Sequence, residues 1–262
     1  MPVSTFVHVA GSTTNDELVK RVERVFGVGR SAVWRVEIKP MLPISKPAAA
    51  AAATTNAGAG AGAAAAGTGS VASSAQTSAV GAATSGLKRI TMIRNQDYPG
   101  KMIVLVGGSP AEADDASSAS NKNVNAANTN AAAVPGLADT TVLEVDKEFE
   151  AVMGWLKTVY QERRPVRIEG SRYDIGDFSV RVGSVIVSQQ PRGIAVEVEY
   201  KPAVAPDRCN GLLQEFLQLI LPGAGVASFD YSLVHLAPNT FTPAHAAYQV
   251  AAVLSSRGLL SV

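Results

Sequence analysis

The chain has 262 residues with a formal net charge of +1, and 17% of its residues are charged. A net charge this small produces only a weak electrostatic field, which would not attract the protein to DNA, RNA or an anionic membrane. The sequence therefore predicts partners that are not polyanions. Its single cysteine, Cys209, cannot form an internal disulfide, and the chain does not start with a charged segment followed by an apolar one. These features predict a soluble protein of a reducing intracellular compartment.

The first segments predict a strand, a helix and a second strand. The stretch STFVHVA is typical of a strand, and Thr14 or Asn15 is placed to cap a helix whose apolar stripe stops at Gly27. From Trp34 to Ile38 apolar and charged residues alternate, which is the pattern of a half-buried strand.

Two segments of low complexity interrupt this pattern. Residues 46–86 are almost entirely Ala, Gly, Thr and Ser, and residues 109–138 are mainly Ala, Asn, Ser and Asp. Neither composition buries enough apolar surface to offset the entropy of ordering, so both are predicted to be disordered inserts that folding does not need. The chain, 1–262, is therefore interpreted as a single barrel-like domain with two long inserts.

The remaining segments alternate between hairpins and helices. The strands LKRITMIRN and GKMIVLVGG flank the turn NQDYPG, and the strand TTVLEVD leads into a helix predicted from Lys147 to Glu162. The strand VRIEG follows. Helices are predicted after a cap at Asp207 and from Thr242-Pro243 to about Ser256. This order predicts an α+β fold, with an antiparallel, barrel-like sheet and flanking helices on its outside.

The stretch SRYDIGDFSVRVGSVIV and the later run GIAVEVEYKP predict a hairpin joined by a six-residue loop, 188–193. One side of the first strand begins polar at Ser179 and Arg181 and becomes apolar at Val185 and Val187. An apolar patch on such a face is expected to be covered, either by one of the chain's own helices or by a partner subunit. Val185 and Val187 are therefore the candidate partner interface.

The second strand of this hairpin contains the strongest candidate for a catalytic site. Period-two spacing places Glu197, Glu199 and Lys201 on one face, as in the strands of tunnel-type triphosphatases, where they could hold a divalent metal and a phosphate. This makes a metal-dependent tunnel-type phosphohydrolase the alternative function. The favoured interpretation is a solvated outer face that pairs Arg181 with a glutamate, because no other strand shows the pattern.

No other residues combine into a site. His8, His235 and His245 lack the spacing of metal ligands, and Cys209 is expected to be a small apolar residue near a helix start. The sequence therefore predicts no catalytic residue, cofactor or metal ligand.

A long pattern in the central hairpin is similar to the signature of the Mediator subunit 20 family, also called TRF-proximal protein. Further matches lie in the turn before it and in the helices on either side. The residues that carry the resemblance are Asn95, Tyr98, Pro99, Asp146, Phe149, Gly170, Arg172, Tyr173, Asp177, Phe178, Val180, Arg181, Val182, Gly183, Arg192, Gly193, Val196, Glu197, Val198, Glu199, Tyr200, Leu212, Leu213, Phe216 and Leu217.

This resemblance covers most of the ordered part from about Leu87 to Leu221, and the two inserts depart from the family pattern. It implies a barrel-like fold and a non-enzymatic role in the Mediator head module, in the nucleus, supporting transcription by RNA polymerase II. It further implies a direct heterodimer with subunit 18, a tether to the C-terminal segment of subunit 8, and no catalytic residues.

Overall fold

The structure is a computed structural model that describes residues 2–10, 14–44, 87–107, 137, 140–205, 208–224, 229, 231–237 and 239–260. Both predicted inserts lie outside these ranges, with the exception of Leu137, which is fully buried in the core. The disorder and dispensability of the inserts, and the single-domain interpretation, therefore stay predictions.

Nine strands and four α-helices make up the described fold. The strands are β1 (Val3–Val9), β2 (Ala32–Pro43), β3 (Arg89–Asn95), β4 (Lys101–Gly107), β5 (Thr141–Asp146), β6 (Tyr160–Glu162), β7 (Val166–Ile175), β8 (Phe178–Val187) and β9 (Gln190–Tyr200). The helices are α1 (Asn15–Phe26), α2 (Phe149–Trp155), α3 (Asn210–Ile220) and α4 (Pro243–Ser256). Among the described residues, no helix has both the length and the apolar character needed to cross a bilayer.

The strands form one antiparallel sheet in the order β1-β9-β8-β7-β2-β3-β4-β5, and β6 pairs with the far end of β2. The sheet curls into a half-barrel with β1 and β5 at its edges. Helix α4 packs against β1 at one edge and against β4 and β5 at the other, so it spans the concave side. The predicted α+β class with an antiparallel, barrel-like sheet is confirmed.

Both faces of the sheet are covered. On the convex face, α1 packs on β8 and α3 on β9, and the buried core there includes Val180, Val196 and Leu217. Farther along the same face, α2 lies over a second cluster built largely from methionines. The concave face packs with α4 around Trp34 and Ile38. The expected flanking helices are therefore present, and α4 in addition fills the inside of the curl.

The local signals at helix ends were reliable. The Thr14 hydroxyl accepts a hydrogen bond from the Glu17 amide and the Glu17 carboxylate accepts one from the Thr14 amide, which is a capping box. Gly27 closes α1 with a left-handed φ of 64°. Helix α4 begins at Pro243, directly after Thr242, and ends at Ser256, as predicted. Asp207 lies outside the described residues, and α3 starts after Cys209.

The helix predicted from Lys147 to Glu162 is wrong in its second half. Helix α2 ends at Trp155, a 3₁₀ turn follows, and residues 160–162 form β6, in which Tyr160 is opposite Pro43 of β2. The apolar spacing continues beyond Trp155, but an aromatic residue such as Tyr160 also suits a strand, and pairing with β2 supplies the backbone hydrogen bonds. Tertiary pairing therefore overrides the helical pattern.

The predicted six-residue loop after β8 is also wrong. Strand β8 continues to Val187 and β9 starts at Gln190, so only Ser188 and Gln189 lie between them. Both have positive φ, 50° and 68°, as the two-residue turn of a tight hairpin requires. Non-glycine residues in the left-handed conformation are uncommon, so the residue types Ser188 and Gln189 do not indicate this turn.

Candidate functional site

A cluster of charged side chains lies on the concave face, at the centre of the half-barrel. In the sheet register Arg181 of β8 is opposite Glu197 of β9, and Ser179 is opposite Glu199. The turn between β3 and β4 contributes Asp97, although two strands, β7 and β2, separate β8 from β3 in the sheet. Because the sheet curls, the cluster connects the two sides of the half-barrel across its interior.

Arg181 is at the centre of this cluster. Its Nη1 atom lies 2.5 Å from Glu199 Oε2 and 3.7 Å from Glu197 Oε2, and its Nη2 atom lies 2.8 Å from Asp97 Oδ2. The side chains of Arg181 and Glu197 are 5% and 8% exposed. One guanidinium thus holds three carboxylates in a nearly dry environment.

The predicted solvated outer face is therefore wrong, whereas the predicted pairing of Arg181 with a glutamate is confirmed. Glu197 and Glu199 point into the curl, because α1 and α3 cover the valines on the opposite, convex face. Alternation predicts which residues share a face, but which face meets solvent depends on where the helices pack. The structure places Lys201 elsewhere: its Nζ lies 3.1 Å from Asp174, in a partly exposed pair near the β7–β8 turn.

Burial and charge together set the protonation of the cluster. Burial raises the pKa of Glu197 above its usual range, despite the opposing charge of Arg181. Burial alone would lower the pKa of Arg181, but the charges of Glu197, Glu199 and Asp97 raise it instead, so the guanidinium stays charged. Burial also raises the pKa of the Tyr98 phenol, helped by the charges of Glu197 and Glu199. Burial therefore favours the neutral form of Glu197 more than water does.

The space beside the cluster is small. A cavity of about 30 Å³ is lined by Tyr98, Glu197 and residues of the first turns of α4, among them Pro243 and Ala246. This volume holds about one water molecule. Among the described residues, no three His, Cys, Asp or Glu side chains converge as metal ligands do. Because α4 packs on the concave side and leaves only this small cavity beside the cluster, the geometry does not support the phosphohydrolase alternative.

The other predicted residues have structural surroundings. Val185 is fully buried and Val187 partly buried, both in the concave cluster that contains α4 residues, so the chain's own fold covers them. Their assignment to a partner interface stays a prediction. His245 is buried and forms a capping box with Thr242, and Cys209 is buried, as expected. His8 Nε2 lies 3.1 Å from the Arg192 carbonyl oxygen.

Sequence reasoning missed Asp97 and Tyr98 as members of the cluster. Their stretch, NQDYPG, was assigned to a turn on its backbone chemistry, which is correct. Asp97 is 84 positions before Arg181 in the chain, so no local pattern joins them. The available signal was the resemblance, which includes both Tyr98 and Arg181.

Fold and cluster together define a half-barrel protein whose concave side is a packed interior with buried ion pairs. The chain belongs to the family of subunit 20 of the Mediator complex, because it matches the family described as "TATA-binding related factor (TRF) of subunit 20 of Mediator complex" over residues 1–254. The family is named for its place as a subunit of the Mediator complex.

Relatives with the name Mediator of RNA polymerase II transcription subunit 20 match part of the chain. The human protein is 44% identical over 88 residues, which are 31% of this chain and 42% of the relative. The Anopheles gambiae protein is 39% identical over 88 residues, 33% of this chain and 40% of the relative. The matched stretch thus spans less than half the length of these relatives.

Solved structures of similar fold are distant. The PH1012 protein of Pyrococcus horikoshii has a TM-score of 0.40 and 10% identity, covering 90% of this chain and 100% of that protein. A Hippeastrum protein described as having a dominant triphosphatase activity has a TM-score of 0.37 and 10% identity, covering 86% of this chain and 92% of that protein. Likeness at this level carries no functional argument.

Proposed function

We propose that the chain is a nuclear subunit of the Mediator head module that supports RNA polymerase II transcription by forming a heterodimer with subunit 18. The C-terminal segment of subunit 8 tethers this pair to the module. The observation that carries the proposal is the match over residues 1–254 to a family of Mediator subunits, which supports a role in that complex. In this role the half-barrel is a rigid body that presents partner surfaces.

A second apolar face on α3 supports a protein partner. One face of this helix is buried against β9 and includes Leu213, Leu217 and Ile220. Leu212 and Leu219, seven residues apart and therefore on one side, are 41% and 55% exposed. A helix that is apolar on both sides is normally buried on both. We assign the outer side of α3 to the interface with subunit 18.

Co-expression with both partners tests this function. The wild-type chain is expected to co-purify in one complex with subunit 18 and the C-terminal segment of subunit 8. The double variant Leu212→Glu, Leu219→Glu should remain folded by circular dichroism but lose subunit 18, since charges in a desolvated interface cost several kcal/mol, roughly 2 or more per site. Val33→Glu, at an isolated exposed position on β2, is the matched control.

Two results would count against the proposal. If the wild-type chain elutes alone while both partners are present and folded, the proposed heterodimer is ruled out. If the α3 double variant still binds subunit 18, only the assignment of the interface to the outer side of α3 is ruled out. Nuclear localisation is checked separately, by fluorescence microscopy of a tagged chain in cells that assemble Mediator.

A further inference from the structure

Strand β5 forms one edge of the sheet and is open to solvent. In the described sheet it pairs with β4 alone, in a regular register from Lys101 opposite Asp146 to Val106 opposite Thr141. Four of its six residues are exposed and the other two are half-buried. In an antiparallel pair, alternate residues direct their backbone N–H and C=O groups to the partner strand, so about three residues of β5 direct theirs outward. We call this row of hydrogen-bonding groups the β5 edge.

The opposite edge of the sheet is covered by the chain itself. Five of the seven residues of β1 are buried, and α4 packs along this strand. The Gln249 side-chain amide donates a hydrogen bond of 3.1 Å to the Ser4 carbonyl oxygen, so a side chain of α4 satisfies a backbone group of β1. Helix α4 also contacts β5 but leaves residues exposed along its whole length. Of the two edges in the described sheet, β5 is therefore the one that another strand can reach.

The sequence of β5 lacks the features that normally protect a sheet edge. Natural edge strands are blocked by lysines, prolines, bulges or covering segments. The six residues TVLEVD include no lysine, proline or glycine, and their register with β4 has no bulge. Threonine and valine, which make up half of the strand, favour an extended backbone. The strand is thus suited to pairing on its outer side as well.

The convex face of β5 is apolar. Leu143 is opposite Val104, and Val145 is opposite Met102, so both lie beside the methionine-rich cluster under α2. Leu143 is 45% exposed, because β5 has no neighbour on its outer side in the described sheet. Side chains that are directly opposite on paired strands lie about 5 Å apart and bury each other. An apolar residue on an added strand would therefore cover Leu143.

The concave face of β5 is acidic. Glu144 is opposite the buried Ile103, and Asp146 lies on the same side because it is two positions further on. Lys101 of β4 is opposite Asp146 but forms its ion pair with Glu144, and Asp146 has no ion pair within the described residues. Two carboxylates thus share one cation. A basic residue opposite Asp146 would be favoured, and an acidic one disfavoured.

We propose that the β5 edge pairs with an extended segment of another protein, which adds a strand to the sheet. The segment carries apolar residues on the convex side and a basic residue near Asp146. Such an edge selects an extended segment, because the backbone groups of that segment complete the hydrogen bonds, whereas a helix uses its own internally. This contact goes beyond the proposed pairing with subunit 18, which uses the outer side of α3, since that helix packs on β9, six strand positions from β5.

A peptide with methylated amides tests the backbone pairing directly. The probe is a fluorescein-labelled peptide of seven residues in which valine alternates with lysine or threonine. At about 3.3 Å per residue it is about 23 Å long, enough to span the six residues of β5. Two derivatives carry N-methyl groups on alternate amides, one set along each edge of the peptide. They keep every side chain but lose the hydrogen-bond donors of one edge.

Binding is measured by fluorescence anisotropy with the full chain. At least one methylated derivative should bind at least about tenfold more weakly than the parent probe, because methyl groups at the pairing edge remove hydrogen bonds and separate the strands. Leu143→Lys should weaken binding of the parent probe by a similar factor, since a lysine on an edge strand opposes pairing. Val33→Lys, on β2 and also at a position that is 45% exposed, is the matched control and should leave the affinity unchanged.

A charge exchange tests the concave side. Asp146→Lys should weaken binding of the parent probe several-fold and improve binding of a second probe whose lysines are replaced by glutamates. Circular dichroism verifies that each variant is folded. The opposite responses of the two probes would place the basic residue of the added strand near Asp146.

Four results would overturn the proposal. Absence of binding by the parent probe at high micromolar concentration would exclude the site. Equal affinity of the parent and both methylated probes would show that backbone pairing contributes nothing, and unchanged affinity in Leu143→Lys would place the probe elsewhere. A wild-type dimer in sedimentation that Leu143→Lys dissociates would assign the β5 edge to a second copy of the chain. Co-purification with subunit 18 is followed in parallel, and its loss in Leu143→Lys but not in Val33→Lys would assign β5 to the heterodimer interface instead.

Discussion

At the scale of single residues, Arg181 balances the charge of the half-barrel interior. Three carboxylates surround it, so the cluster would carry a surplus of negative charge if all were ionised. The raised pKa of Glu197 reduces this surplus, because a protonated carboxyl needs no counter-charge. Such clusters contribute little net stability when complete, but removing one partner leaves buried charge uncompensated.

The first prediction concerns the removal of this cation. Arg181→Leu should lower the free energy of unfolding by about 3–5 kcal/mol, because the buried carboxylates lose the guanidinium that pairs with them. Adding Glu199→Gln should restore part of the loss. Urea unfolding followed by circular dichroism checks both variants, with the exposed Arg192→Leu as control. A loss below about 1 kcal/mol in Arg181→Leu would show that water already reaches the cluster.

The second prediction follows from the pKa of Glu197. Since this pKa is raised in the folded state, the fold binds more protons than the unfolded chain above pH ~4.3, and stability falls as pH rises through the folded pKa. Glu197→Gln cannot ionise, so it should not show this loss of stability at high pH. The free energy of unfolding of the variant should therefore increase relative to that of wild type as pH rises from 5 to 8, measured by urea unfolding at each pH. A relative loss would identify Glu197 as an ionised partner of Arg181.

At the scale of elements, two glycines allow the tight approach of β7 and β8. Gly170 and Gly183 are directly opposite each other, and Gly170 is also opposite the fully buried Trp34 of β2. A Cβ at Gly170 would lie 1.9 Å from the Val182 carbonyl oxygen, which is backbone and cannot swing away. The absence of a side chain there is therefore a condition for the curl of the sheet.

The third prediction compares glycines in different elements. Gly170→Ala should lower the midpoint of thermal unfolding strongly, at a cost of about 3 kcal/mol, because the strands must separate to admit the methyl group. Gly211→Ala, in α3 with no atom within 4 Å of the added Cβ, should be neutral or stabilising by up to about 1 kcal/mol. Similar midpoints for both variants would mean that β7 and β8 adjust without strain.

The elements also show how far sequence reasoning reached. The ends of α1 and α4 were predictable, because Thr14, Gly27 and Thr242-Pro243 act through bonds within a few residues. The end of α2 was not, because pairing of Tyr160 with Pro43 is decided by a strand more than 100 residues away.

The candidate cluster also has one part that local sequence patterns predict and one part that depends on the whole fold. The opposition of Arg181 and Glu197 follows from the hairpin pattern, whereas the contribution of Asp97 depends on the curl of the whole sheet. That the acidic face points inward depends on α1 and α3 covering the other face, which is information that no single strand contains.

At the scale of the whole molecule, α4 joins the two ends of the sheet. Small residues such as Ala247 and Ala251 let the helix approach the strands closely, and nine of its 14 residues are buried. The Gln249 amide nitrogen donates to the Ser4 carbonyl oxygen of β1 and contacts the Tyr231 hydroxyl. The edges β1 and β5 do not pair with each other in the described sheet, so α4 is their physical connection.

The last prediction tests this connection. Ala251 is fully buried, so Ala251→Leu adds volume that the interior cannot accept without strain, at a cost of about 1–3 kcal/mol. Because α4 contacts both edges, backbone amides of β1 and of β5 should lose hydrogen-exchange protection together, by a similar factor. Ser256→Leu, at the exposed end of the same helix, is the control and should leave both strands unchanged. Loss of protection in one strand alone would show that the two edges are stabilised independently and that α4 does not couple them.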